Sequence, residues 1–150
     1  MLNRLWTHSK VSDFDVAGIG IGAPGPQDFD AGMILDPPNL AIRNFPLRVL
    51  LEKEFKIPAV LDNDVNAGLY GEFRQGAAKG FRHAVGVFPG TGVGGGLILD
   101  GRLYGGATGN AGEIGHMTIM AGAPESGVGV FPGTVEALAS RTMVSSGAAA

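Results

Sequence analysis

The sequence contains no cysteine, so disulfides and thiolate metal sites are excluded and redox chemistry gives no indication of compartment. It has a single tryptophan and only 17% charged residues, with a net charge of −3. The basic excess that a nucleic-acid or acidic-membrane surface requires is missing, so neither partner is expected. No apolar run approaches the length needed to cross a bilayer, and the opening MLNRLWTHSK is too polar for a secretory signal. A cytoplasmic protein is the default expectation. With 45% hydrophobic residues over 150 positions, the chain suits an ordinary globular domain with its own core.

What is abundant is glycine. Twenty-six of 150 residues is about 17%, against a usual figure of about 7%. The glycines cluster between apolar segments without a three-residue period, which argues for close backbone approach rather than a linker or collagen-like array.

Leu2, Leu5 and Trp6 fall at helical spacing, so the chain is expected to begin within a helix. Val16–Ile21 reads as a short strand stopped by Gly22–Pro26, and Pro37-Pro38-Asn39 is another break. Pro46 suits the first turn of a helix, with Leu47, Leu50, Leu51 and Phe55 as its apolar face and Pro58 ending it. Ala59–Leu61 is a buried strand running into Asn63-Asp64, and Asp64 is a good cap for a helix lined by Val65, Leu69 and Phe73. Gly68 and Gly71 weaken that helix and imply close packing. His83–Phe88 is a third strand. Asp100-Gly101 is a two-residue hairpin signal between Leu97–Leu99 and Arg102–Tyr104. Met117–Met120 reads as a strand and Val135–Met143 as the start of a helix, before a low-complexity finish at Ser145–Ala150. The hexapeptide GVFPGT occurs twice, at Gly86–Thr91 and Gly129–Thr134.

Four features carry chemistry. The loop Gly90–Gly96 follows a strand, and backbone N–H groups there can converge on one anion, with the Thr91 hydroxyl beside them. Neither Walker A nor a dinucleotide fingerprint fits it, and a tight turn between strands is an equal reading. Asn63-Asp64 lies at a strand-to-helix junction, where α/β folds place ligands. A carboxylate there can take a proton from a hydroxyl, or merely cap the helix. Glu113 and His116, three residues apart, can bind adjacent hydroxyls, though a lone histidine also serves as a structural hydrogen-bonding group. Glu136 reads as a favourable charge near a helix N-terminus.

The segments GIGIGAPGP at Gly18–Pro26, DPPNL at Asp36–Leu40, LDNDVNAG at Leu61–Gly68, FPGTGVGGGLILDG at Phe88–Gly101 and ATGNAGEIGHMTI at Ala107–Ile119 follow one another in an order that resembles the ROK family (repressors, open reading frames and kinases). EALASR at Glu136–Arg141 continues the order. The likeness is strongest to the bacterial glucokinase-like members. It implies the ribonuclease H-like/actin-like ATPase fold, an α/β architecture of two domains around a cleft. Residues 1–80 would be the rear of the first domain, and 81–150 the start of the second. The implied activity is ATP-dependent phosphorylation of a hexose, most simply glucose. Asp64 would be the general base, while Gly25, Asn63, Glu113, His116 and Glu136 would bind the sugar and Gly90, Thr91 and Gly92 the ATP phosphates. ATP and Mg2+ are the implied cofactors, and a homodimer of the full-length protein is the implied assembly.

Two departures qualify the resemblance. The family's zinc loop, CxCGxxGC with His116 as fourth ligand, is matched here by Ser126–Thr134, with Ser126, Val128 and Thr134 at the three cysteine positions and one extra residue inside the loop. No structural zinc is therefore expected. The family's Asp-Xaa-Gly-Gly-Thr phosphate run and its adenine-binding half have no counterpart in these 150 residues. A central fragment, inactive by itself, is the expectation. A sugar-responsive repressor that has lost its DNA-binding part, or a non-functional remnant, are the alternative readings.

Overall fold

The computed structural model describes residues 16–37, 40–123 and 131–147. The expected N-terminal helix, Pro38-Asn39 and most of the Ser126–Thr134 loop lie outside the described residues. The chain divides into two compact units, Met1–Asp64 and Val65–Ala150, so compactness divides it ahead of residue 80.

In the first unit, β1 (Ile19–Ala23) pairs in parallel with β4 (Ala59–Asn63), Ile21 opposite Leu61 and Ala23 opposite Asn63. Alternation along these strands puts Ala23 and Leu61 on the covered face and Val60, 66% exposed, on the other. A short antiparallel pair, β2 (Gln27–Asp28) and β3 (Met33–Ile34), adds Ile34 to the small core formed with Ala23 and Leu61. The turn between these strands is held by Arg48, whose guanidinium donates to the Phe29 and Asp30 carbonyls at 3.3 and 2.7 Å. Helix α1 (Leu47–Phe55) starts directly after Pro46, which is its N-cap, and the left-handed Lys56 ends it rather than Pro58. Its apolar stripe is only half-buried, and Leu50 is exposed.

In the second unit, β5 (Ala84–Pro89), β6 (Val93–Leu99) and β7 (Arg102–Leu103) form an antiparallel sheet in the order β5-β6-β7. Asp100 and Gly101 both have positive φ, 50° and 76°, the conformation that a two-residue hairpin turn demands. Helix α2 (Asp64–Gln75) follows β4 directly, and from Val65 onward it packs on this sheet. Gly94 lies beneath Val65, Gly96 beneath Asn66 and Leu69, and Gly86 beneath Leu69. Ile98, next on the same side of β6, is fully buried. Gly68 meets the Phe88 ring, with 3.1 Å between a Cβ built there and the nearest ring carbon. Gly71, by contrast, faces open space, so the expectation of close packing holds for one helical glycine and fails for the other.

Three sequence expectations are corrected. Val93–Gly96 is strand, so the glycine loop shortens to Gly90–Gly92. Met117–Met120 forms no strand and, among the described residues, makes a single bridge, Thr118 to Thr134, because its neighbour there is a turn and not an extended segment. The helix expected to start over Val135–Met143 is interrupted there, as α3 (Val135–Ala139) and α4 (Arg141–Gly147), at an extended Ser140 whose hydroxyl accepts from the Met143 N–H at 3.3 Å.

The two glycines of α2 give a contrast that thermal or urea denaturation can measure. Gly71→Ala should stabilise the protein by about 1 kcal/mol, the helix-propensity gain alone. Gly68→Ala should gain less, or lose, because its methyl group presses on Phe88.

Candidate functional site

The sequence-predicted residues fall into two sets, one in each unit. In the first unit, Asn63 ends β4 opposite Ala23, and its backbone N–H donates to Asp62 Oδ1 at 2.7 Å. A Cβ built on Gly25 would lie 3.9 Å from Asn63 Nδ2, in ordinary contact with the amide, so the two residues are neighbours. Gln27 donates from its side chain to the Ala23 and Asp62 carbonyls, the latter at 3.2 Å, tying the ends of β1 and β4 together. Asp64 is exposed and begins α2. Gly25, Asn63 and Asp64 thus gather at the carboxyl ends of two parallel strands, where α/β folds place their ligands.

In the second unit everything converges on the start of β6. The Gly90 N–H donates to the Gly92 carbonyl at 2.7 Å, closing the turn. The Gly90 carbonyl accepts from the Arg141 N–H at 2.9 Å, and the Thr91 carbonyl from the Thr142 hydroxyl at 2.9 Å. Across a trans peptide the carbonyl and the following N–H point in opposite directions. With both carbonyls drawn toward α4, the Thr91 and Gly92 N–H groups point away from it, and among the described residues they meet no acceptor. The anion cradle read from sequence therefore narrows to the Thr91 and Gly92 amides with the Thr91 side chain. The Gly90 N–H is already engaged inside the turn.

Val93 is gripped through both of its backbone groups. Its N–H donates to Glu136 Oε2 at 2.9 Å. Its carbonyl lies under Gly115, where a Cβ would collide with it. Gly95 likewise touches the Gly112 carbonyl and the Ile114 side chain. The 3₁₀ turn Ile114–His116 is thereby pressed along the edge of β6, with Glu113 immediately before it. Glu113 and His116 are both about half exposed, with Oε2 and Nε2 3.8 Å apart. They project together, as their three-residue spacing in a tight turn requires. Glu113, His116 and Glu136 belong to elements that all pack against the first residues of one strand.

The zinc loop of the resemblance has no counterpart in donor chemistry. The chain has no cysteine, and no three His, Asp or Glu side chains among the described residues gather as a metal site. One histidine cannot supply a tetrahedral set. Backbone bonds and Thr134 hold the segment after His116 instead. The Ile119 and Met120 N–H groups donate to the Gly133 carbonyl at 2.8 and 3.0 Å, and the Val135 N–H to the Met117 carbonyl at 3.0 Å. Thr134, 1% exposed, donates its hydroxyl to the Phe131 carbonyl at 2.9 Å and accepts from the Ala137 N–H at 3.2 Å, capping α3. Sequence reading gave no such role to Val93, Thr134 or Thr142. Only Thr134 carried a signal, a threonine two residues before a glutamate at a helix start.

Comparisons with known proteins follow the same pattern. The sequence pattern of the ROK family matches residues 2–147. A glucokinase of Halalkalibacterium halodurans is 44% identical over 124 residues, 83% of this chain and 36% of the relative. A xylose repressor of Caldicellulosiruptor bescii is 41% identical over 104 residues, 69% of this chain and 26% of the relative. The crystal structure of a ROK family glucokinase from Streptomyces griseus, in complex with glucose and AMPPNP, superposes with a TM-score of 0.73 at 36% identity, covering 87% of this chain and 42% of that one. The chain therefore spans well under half the length of each of these relatives.

The cap gives a direct test. Thr134→Val should cost about 1–2 kcal/mol, read by urea denaturation, with faster amide exchange through α3. Thr134→Ser, which keeps the hydroxyl, should stay within about 1 kcal/mol of the parent.

Proposed function

This chain belongs to the ROK family and carries part of its actin-like ATPase fold; from that premise we propose that it is the central portion of an ATP-dependent hexose kinase acting on glucose. The observation that carries the reading is the convergence at the start of β6, where two amides that meet no acceptor among the described residues, a carboxylate and the Glu113–His116 pair meet one strand end. Phosphoryl transfer needs little covalent help from the protein and depends on positioning and electrostatic stabilisation. Thr91 and Gly92 amides, with Gly90 shaping the turn, would hold ATP phosphates, and Mg2+ would accompany the nucleotide. Gly25, Asn63, Glu113, His116 and Glu136 would hold the sugar through its hydroxyls. Asp64 would accept the proton of the attacking hydroxyl as its oxygen bonds to the γ-phosphorus and the bond to ADP breaks. Residues up to about 80 would serve as the rear of the first domain and the remainder as the start of the second.

A second reading has its own support, the likeness to a xylose repressor. A repressor needs a sugar site but no phosphate cradle, so the Thr91 and Gly92 amides favour the kinase. The two readings separate in one titration. If the kinase reading holds, AMPPNP shifts the Thr91 and Gly92 amide resonances, and glucose shifts those of Asn63, Glu113 and His116. A repressor fragment would respond to xylose and leave Thr91 and Gly92 unmoved by AMPPNP. In a coupled assay with ATP and glucose, the chain alone should turn over weakly or not at all. Asp64→Asn should lower any measured kcat by about 10²–10⁴-fold, with glucose binding retained.

A further inference from the structure

Glu136 lies where two requirements meet. The Gly90 N–H to Gly92 carbonyl bond makes that facing pair hydrogen-bonded. In an antiparallel ladder hydrogen-bonded and non-hydrogen-bonded pairs alternate, so the next pair, Pro89 with Val93, is of the second kind. The Val93 N–H therefore points away from β5, outward from the sheet edge. Strand β7 pairs only with Ile98 and Leu99 and does not reach it. At this position a carboxylate from α3 is the acceptor. Its approach requires that Gly92 have no side chain, since a Cβ there would collide with the Glu136 carboxyl group.

We propose that Glu136 is a positioning residue for the phosphate loop as well as a sugar ligand, one carboxylate oxygen fixing the loop while the other faces the substrate. This deepens the kinase reading and rests on it for the substrate. Oε2 holds Val93, and Oε1 makes no hydrogen bond among the described residues. The loop has three anchors. Arg141 and Thr142 draw the Gly90 and Thr91 carbonyls toward α4, and Glu136 draws the Val93 N–H toward α3. Together they set the planes of the peptides between, and so the direction of the Thr91 and Gly92 amides. A negative charge on Glu136 suits this task because a charge-assisted bond is shorter and stronger than a neutral one. A sugar hydroxyl bound at Oε1 and a phosphate bound at Thr91 and Gly92 would then be registered by the same side chain.

Amide exchange and amide chemical shifts of the 150-residue chain, measured by NMR, test this without any turnover. In Glu136→Ala, exchange at Val93 should accelerate roughly tenfold and the Thr91 and Gly92 resonances should move, while Ile98 in the sheet interior keeps its protection. Glu136→Gln keeps an acceptor, so it should restore Val93 protection while its amide proton moves upfield as a neutral oxygen replaces a charged one. Unchanged Val93 exchange in the alanine variant, or an unmoved Val93 proton in the glutamine variant, overturns the proposal. Should the alanine variant lose Ile98 protection as well, the glutamine variant alone decides. Adding AMPPNP to the parent tests the kinase reading separately. A silent Thr91 and Gly92 beside an intact Val93 bond would sink the phosphate assignment and leave the positioning role standing.

Discussion

The second unit depends on close approach to the β6 backbone, with no Cβ intervening, at the three glycines Gly94–Gly96. A β-strand normally presents side chains to both faces and keeps neighbouring elements at side-chain distance. Here Gly94 and Gly96 admit α2 on one face, and Gly95 admits the Gly112 carbonyl and Ile114 on the other. Gly115 then sits directly on the Val93 carbonyl. Glycine weakens a strand through lost packing and greater backbone entropy. The weakness is offset where Ile98, on the same strand, is fully buried. The strand is thus soft in sequence at the end where ligands would bind and firm at the end where the core lies.

Much of this was legible in the residues, and the reasons differ from element to element. The Asp100-Gly101 hairpin was readable because two consecutive positive φ angles leave few residue choices. Helix α1 and strand β4 were readable from apolar spacing bounded by proline. The extent of the glycine loop was not, since glycine carries no preference that distinguishes a strand from a turn, and the ladder with β5 decides it. The break at Ser140 was hidden for a similar reason. Neither proline nor glycine marks it, and serine caps a helix only where the chain geometry lets it. In the candidate site the side-chain groups were visible as residue types. The grip on Val93 was not, because a valine contributes it through its N–H and carbonyl alone.

The repeated hexapeptide makes the same point within a single chain. In the first copy, Phe88 and Pro89 are strand, Gly90 opens the turn, and Thr91 is exposed. In the second, Phe131 is 71% exposed, Gly133 takes a φ of 73°, and Thr134 is buried as a helix cap. Identical residues adopt two structures because their surroundings differ: a β6 partner for one, the Met117–Met120 segment and α3 for the other. The two copies also end in opposite employment. One threonine is offered to solvent in the turn before β6, and the other is closed into a helix cap.

The support of the segment after His116 is made of a hydroxyl and a few peptide groups, and its chemistry has a consequence for the conditions the protein tolerates. A thiolate-zinc brace fails when chelators strip the ion or oxidants consume the sulfur. The Thr134 hydroxyl and the Gly133 and Met117 carbonyls are indifferent to both. The described contacts behind His116 are therefore of the kind that hydration and temperature govern, and none of them involves a metal ion or a thiol.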